Sequence, residues 1–218
     1  MNNPLFSSEK YKKIAIKIRD FINSQADFLS PRTAESTRAI GDAMQDLLAD
    51  NFGKFLKDEI KEYSAEFARR AMADLAFTSN DNFYHIIDVK THRLDTTFNM
   101  PNLTSVERLA RFYEDDKNYF VVLFIAYNIK GGHIVVDKVH FVPIEFLDWS
   151  CLTIGALGWG QIQIANSNNI KLVKQTRKKW MLQLCDRLFE FYPAEIVKIK
   201  GRIEYFKKIR HFWEKKKA

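Results

Sequence analysis

Glycine is scarce in this chain, with eight residues in 218. Neither a phosphate-cradling Walker loop nor a G-x-G-x-x-G dinucleotide fingerprint is present, so the nucleotide-binding folds built on them are set aside. Cysteine is scarcer still: Cys151 and Cys185 are the only two, and their spacing excludes a zinc ribbon. Both read as reduced thiols or core filler. No apolar run reaches the ~18 residues that suggest a membrane span. The opening "MNNPLFSSEKYKK" lacks an apolar signal core, so a cytoplasmic chain without membrane segments is expected. Low-complexity linkers and internal repeats are missing. So are a Ser-His-Asp or Cys-His arrangement, and His133 and His140 stand too far apart to suggest metal ligation.

What the chain does have is apolar and basic. Apolar residues make up 46% and aromatics 14%, enough for a sizeable core, and the net charge is +7 with a pI near 9.3. An excess of that sign suits a polyanionic partner, most simply nucleic acid.

The first 70 residues read as helices. Tyr11, Ile14, Ile18, Phe21 and Ile22 recur at helical spacing. Ser30-Pro31 signals the start of a second helix, with Ile40, Met44, Leu47 and Leu48 on one face. A third stretch runs through Phe52, Phe55, Leu56 and Ile60 toward Arg70. Near residue 72 the pattern changes. "MADLAF" and "FYHIIDVK" are β-compatible runs on either side of the turn cluster "TSNDN". A helix follows at "TSVERLARFYED", with Thr104 and Glu107 spaced as a capping box. "NYFVVLFIAYNI" has the continuous apolarity of a central strand, and "GGHIVVDKVHFVPI" reads as its hairpin mate across Gly131-Gly132. "WGQIQIAN" alternates strictly, as a strand does. The last 45 residues return to helix, with Ile196, Ile199, Ile203, Phe206 and Trp213 along one face and basic residues on the others. The expected fold is α/β: a mixed central sheet of about five strands flanked by helices, in one domain over 1–218. Its parts are a helical region 1–70, a catalytic sheet 71–165, and a loop with C-terminal helices over 166–218.

Within "FYHIIDVKTH", period-2 geometry puts Asp88 and Lys90 on one face of a strand. If "MADLAF" pairs antiparallel with it about Asp81, Asp74 falls opposite Asp88, with Cβ atoms ~4.5–5.5 Å apart. The other face then carries Leu75, Phe77, Ile87 and Val89, with His85 as an interior histidine. Two carboxylates so placed share a proton or bind a divalent cation between them. Magnesium suits such oxygen donors, and the Val89 carbonyl adds another. Lys90 beside the cation can orient a water and stabilise charge on a phosphate, the parts needed for metal-assisted phosphodiester hydrolysis. Acid-x-Lys occurs four times, at Glu59, Asp88, Asp115 and Glu214. Only the Asp88 copy lies in a strand with an acid at hairpin distance upstream.

"ADLAFTSNDNFYHIIDVKT" resembles the catalytic core of the PD-(D/E)xK nuclease superfamily, and within it type II restriction endonucleases of the EcoRV and HincII sort. Asp74, Asp88 and Lys90 match the three motif positions, and "DVKT" resembles the "DIKT" of that group. Ala73 stands where the proline of the motif would be, which leaves Asp81 as the alternative first acid. The helix carrying "GDAMQDLL" is similar to the one that often supplies an extra acid in this family, so Asp42 and Asp46 are candidates. The resemblance implies Mg²⁺-dependent hydrolysis leaving a 5′-phosphate and a 3′-hydroxyl. It also implies a homodimer on a palindromic site in double-stranded DNA, each copy cutting one strand. The N-terminal helices are the expected dimer surface. Another nuclease of the superfamily, or a basic DNA-binding protein without chemistry, are the alternatives.

Base reading is expected from "GWGQIQIANSNNIKLVKQTRKKW". Gln161 and Gln163 share a strand face, and Asn166, Asn168 and Asn169 form a loop beyond it; such amides pair bidentately with adenine. Lys171, Lys174, Arg177 and Lys178 would grip phosphates, and Thr91, His92 and Arg93, just past the catalytic lysine, would approach the target strand.

Overall fold

Apolar spacing and caps place the N-terminal helices. The computed structural model describes residues 3–25, 36–57, 59–64, 73–96, 99–131 and 133–216. Two compact units result, residues 1–174 and residues 175–218. In the first, α1 (Pro4–Ser7) is capped by Asn3, whose side chain accepts from the Leu5 N–H. Helix α2 (Lys10–Ser24) buries Ile14, Ile18 and Ile22. Helix α3 (Thr37–Leu56) starts at Ser36, whose hydroxyl accepts from the Ala39 N–H. The second and third expected helices are thus one. The Ser30-Pro31 start signal and residues 65–72 lie outside the described residues.

Helix α3 ends at Leu56, and Ile60 belongs instead to strand β1 (Ile60–Ser64). This corrects the expectation of helix toward Arg70. The segment pairs antiparallel with β2 (Leu75–Ser79), and the Tyr63 hydroxyl donates to the Ala49 carbonyl of α3 at 2.6 Å. Strand β3 (Tyr84–Arg93) follows, then β4 (Asn102–Ser105), α4 (Val106–Phe112), β5 (Asn118–Lys130) and β6 (His133–Pro143). The Thr104–Glu107 capping box is not formed: Thr104 is in β4, Ser105 takes the cap position, and Glu107 pairs with Arg111.

The central sheet has the order β1-β2-β3-β5-β6, with β3 and β5 parallel and the other pairs antiparallel. It is the expected mixed five-stranded sheet flanked by helices. Its fifth member is β1, however, rather than the "QIQI" strand. That strand, β8 (Gln161–Ile164), joins β4 and β7 (Leu152–Gly155) in a separate three-stranded sheet. One face of the central sheet buries Phe77, Ile87, Val89, Leu123 and Phe141 with α2 and α3. On the other face Tyr84 meets Phe112 of α4, and the Tyr113 hydroxyl accepts from the Phe120 N–H. His85 is fully buried on the first face. Its Nε2 accepts from the Asn3 amide at 2.8 Å, and its ring stacks on Phe77.

The second unit is α5 (Arg177–Glu214), capped by Thr176 and continuous through Pro193. No described helix is long and apolar enough to cross a membrane.

Candidate active site

The β2–β3 hairpin has the register that the turn predicts. Leu75 faces Ile87, Ala76 faces Ile86 and Phe77 faces His85. One step beyond, the Asp74 N–H donates to the Ile87 carbonyl at 2.9 Å, so Asp74 continues the ladder toward Asp88. Its carboxylate accepts from the Val89 N–H at 2.7 Å. It thereby satisfies a main-chain donor of β3 just before β2 begins. Asp81 lies exposed in the turn, which leaves Asp74 as the acid at the site.

Asp88 is 5% exposed, and Lys90 donates to its Oδ1 at 2.6 Å. The other oxygen, Oδ2, is buried without a hydrogen-bond partner. Burial pushes the Asp88 carboxyl up to about 7, against the pull of Lys90, and the nearby Asp74 carboxylate pushes the same way. Three charged groups thus interact at one place on the sheet, two acids and one base. A buried carboxylate oxygen with no donor is costly unless something neutralises it.

Helix α3 does cross the site-bearing strand, but with a different residue from those expected. Gln45 donates to the Val89 carbonyl at 3.4 Å, and one turn earlier a Cβ on Gly41 would lie 3.1 Å from the Thr91 hydroxyl. Asp42 and Asp46, the expected extra acids, are exposed on α3. Gln45 is invisible to a reading that looks for acids; its one signal in the sequence is its place four residues after Gly41 on the same helix face.

The donors fit a hard divalent cation. Asp74, Asp88 and the Val89 carbonyl are all oxygen ligands, and the unpartnered Asp88 Oδ2 is the atom such an ion would satisfy. Among the described residues no cluster of three or more His, Cys, Asp or Glu forms. A cation held here therefore has two carboxylates and keeps several waters, as magnesium does.

The residues expected to read DNA fall into two groups. Several are engaged within the chain. His92 is 1% exposed, packs near Phe124 and bonds the Asn168 Oδ1 through Nε2 at 2.7 Å; this corrects its assignment to the DNA surface. Asn168 also donates to the Thr96 carbonyl, and Asn166 accepts from the Asn168 N–H. Gln163 donates to Asn102 at 2.5 Å and covers Gly155, where a Cβ would meet its Oε1 at 2.6 Å. Arg93 pairs with Asp95, and Lys174 donates to the Ser7 carbonyl at 3.0 Å. The others are more open. Asn169 and Lys171 are exposed, Lys171 with Asp148 3.8 Å away. Gln161 lines a cleft of about 370 Å³ with Thr104, Arg108 and Trp159. Thr91 is half-buried, and Arg177 and Lys178 open α5 in the second unit.

No protein-family model matches the chain, and no curated protein matches it.

Proposed function

We propose that the chain is a Mg²⁺-dependent endonuclease that hydrolyses phosphodiester bonds in double-stranded DNA at specific sites, as type II restriction enzymes do. One observation carries this reading: the hairpin register brings Asp74 to Asp88, sets Lys90 on Asp88 at 2.6 Å, and leaves the buried Asp88 Oδ2 without a partner. Asp74, Asp88 and the Val89 carbonyl would hold Mg²⁺, which supplies Lewis acidity and a bound water of lowered pKa.

The chain's own groups do the rest. Asp88 must be ionised to serve, and because burial raises its pKa, proton and cation would compete for it. A cation would be offered the unpartnered Asp88 Oδ2, so Lys90 can stay on Oδ1 and help hold the carboxylate ionised. Its ammonium would orient the attacking water and stabilise charge growing on the phosphate. Asp74 keeps its bond to the Val89 N–H and so holds the start of β2 against β3. The +7 charge draws the polyanion to the surface. Lys171 and Asn169 are exposed, and half-buried Gln161 lines an open cleft; these groups would meet it.

Digestion of a sequenced phage DNA with Mg²⁺, followed by mapping of the ends, tests the proposal. Discrete ends bearing 5′-phosphates are expected. Asp88→Ala and Lys90→Ala should each abolish cutting while DNA binding survives. Scattered ends would mean a nuclease without site preference. Binding with no cutting at any Mg²⁺ concentration would reduce the chain to a basic DNA-binding protein.

A further inference from the structure

Helix α5 leaves a long apolar face uncovered. Phe189 is 74% exposed, Ile203 51% and Trp213 64%. Scattered surface hydrophobes need no explanation, but a continuous stripe marks an interaction surface. The spacing of this stripe is regular. Leu182, Phe189, Ile196, Ile203 and Arg210 recur every seven residues. Cys185, Tyr192, Ile199, Phe206 and Trp213 follow each of them by three. This is the a/d repeat of a coiled coil, sustained over about 47 Å of helix. A repeat of 3.5 residues makes a narrow seam fitted to another helix.

We propose that α5 pairs with α5 of a second copy of this chain, antiparallel, about a two-fold axis between Ile196 and Ile199. Charge decides the direction. In the antiparallel register centred there, a and d positions meet as Ile196 with Ile199, Phe189 with Phe206, and Leu182 with Trp213. The flanking positions then bring Asp186 to Lys207 and Glu195 to Arg202 of the second copy, each twice by symmetry. Leu188 meets Ile209 beside them. A parallel pair would instead set Arg210 against Arg210 and Arg202 against Lys207. Sliding the antiparallel pair by one heptad sets Glu195 against Glu195 or Arg202 against Arg202. Pro193 falls beside the seam and not in it. Such a pair buries on the order of 1,600 Å², the size of a stable specific interface.

The N-terminal helices offer much less. Ile14, Ile18, Ile22, Ile40 and Met44 are committed to the core, and Ile16 is the one large exposed hydrophobe on the described parts of α1–α3. The proposed dimer surface therefore lies on α5 rather than there. Anionic lipid is the rival for a basic amphipathic helix. However, α5 carries acids beside the seam, with intrahelical pairs Lys198–Glu195, Lys207–Glu204 and Arg210–Glu214. Helix pairing uses Asp186 and Glu195 at its flanks, whereas a lipid surface would repel every acid of α5. The inference does not depend on the nuclease reading.

Sedimentation equilibrium of the full chain tests it. A dimer is expected at micromolar concentration. Ile199→Glu should weaken it at least 100-fold, while Lys208→Ser on the outer face should leave it unchanged. Direction is read by oxidation with diamide. The native chain should give no covalent dimer, because Cys185 faces Arg210 of the second copy. Arg210→Cys should give one, through Cys185. A native chain that is monomeric at micromolar concentration overturns the proposal, whether or not it binds phosphatidylserine vesicles. So does an Ile199→Glu variant that sediments as the native chain does. A Cys185–Cys185 link in the native chain overturns the antiparallel arrangement.

Discussion

Asp88→Asn should make the protein more stable at alkaline pH while it destroys the proposed chemistry. The native carboxyl is held at about 7 by burial, against an ordinary value of 3.8. A folded-state pKa above the unfolded one means that the folded chain holds its proton longer. Stability is therefore greatest below pH 3.8 for this group and is lost as pH rises through about 7. At pH 8 the loss is about 4 kcal/mol; at pH 5 it is already about 2 kcal/mol, because the unfolded carboxyl has ionised. Asparagine has nearly the same shape and no charge. Urea unfolding at both pH values should show Asp88→Asn gaining roughly 2–3 kcal/mol more over the native chain at pH 8 than at pH 5. Magnesium adds a second arm. A ligand that binds only the folded state raises its stability, so Mg²⁺ should restore part of the loss at pH 8 in the native chain and do nothing for the variant. An equal effect of the substitution at both pH values would refute the claim that burial disfavours the ionised carboxylate. A Mg²⁺ response that survives in Asp88→Asn would refute the cation site.

Lys90→Ala leaves Asp88 buried without its counter-charge, so the carboxyl keeps its proton to higher pH; the variant should lose about 1 kcal/mol more at pH 8 than at pH 5, where the carboxyl is protonated with or without Lys90, as read from urea midpoints. Asn168→Ala removes the partner of the buried His92 and should cost about 1–3 kcal/mol, with a loss below about half a kcal/mol arguing against the tie between β3 and the 166–169 loop. His140 has the opposite sign to Asp88: burial lowers it from 6.5 to about 4, so its contribution is intact above pH 6.5 and fades as pH falls toward 4. His140→Phe should flatten the acid side of the stability curve by about 2 kcal/mol, a figure reduced for its partial exposure.

The hairpin that carries Asp74, Asp88 and Lys90 was legible because two independent patterns agreed on it. The turn around Asp81, where Asn82 takes φ 59°, set the register, and alternation of Leu75, Phe77, Ile87 and Val89 set the buried face. A slip of one residue would have put those four side chains on the wrong side, so the placement of Asp74 and Asp88 was determined with them. Strand β1 had no such support. Phe52, Phe55, Leu56 and Ile60 satisfy a helical period right across the true end of α3, and only the free edge of β2 draws residues 60–64 into a strand. Alternation likewise identified β8 as a strand but not its partners, which are chosen by tertiary fit to β4 and β7.

Polar side chains were the hardest to read, for a related reason. An amide has the same donors and acceptors whether it faces a base edge, a neighbouring amide or a carbonyl of its own chain. Gln163 and Asn168 are used internally, while Gln161, one alternation away from Gln163, lines an open cleft. Gln45 shows the converse. A neutral amide on a helix gives no sign of a site, yet it is the α3 side chain that reaches the Val89 carbonyl. A cation drawing on that carbonyl must share it with Gln45 or displace the amide. At 3.4 Å the contact is at the long limit of a hydrogen bond, so displacement costs little. The strong ties of the site are the Asp74 bond to the Val89 N–H and the Lys90 pair on Asp88 Oδ1, and both leave Asp88 Oδ2 without a partner. Lys90 is the more exposed of the pair, and under the proposed reading it would stay beside Asp88 while a cation drew on the other carboxylate oxygen.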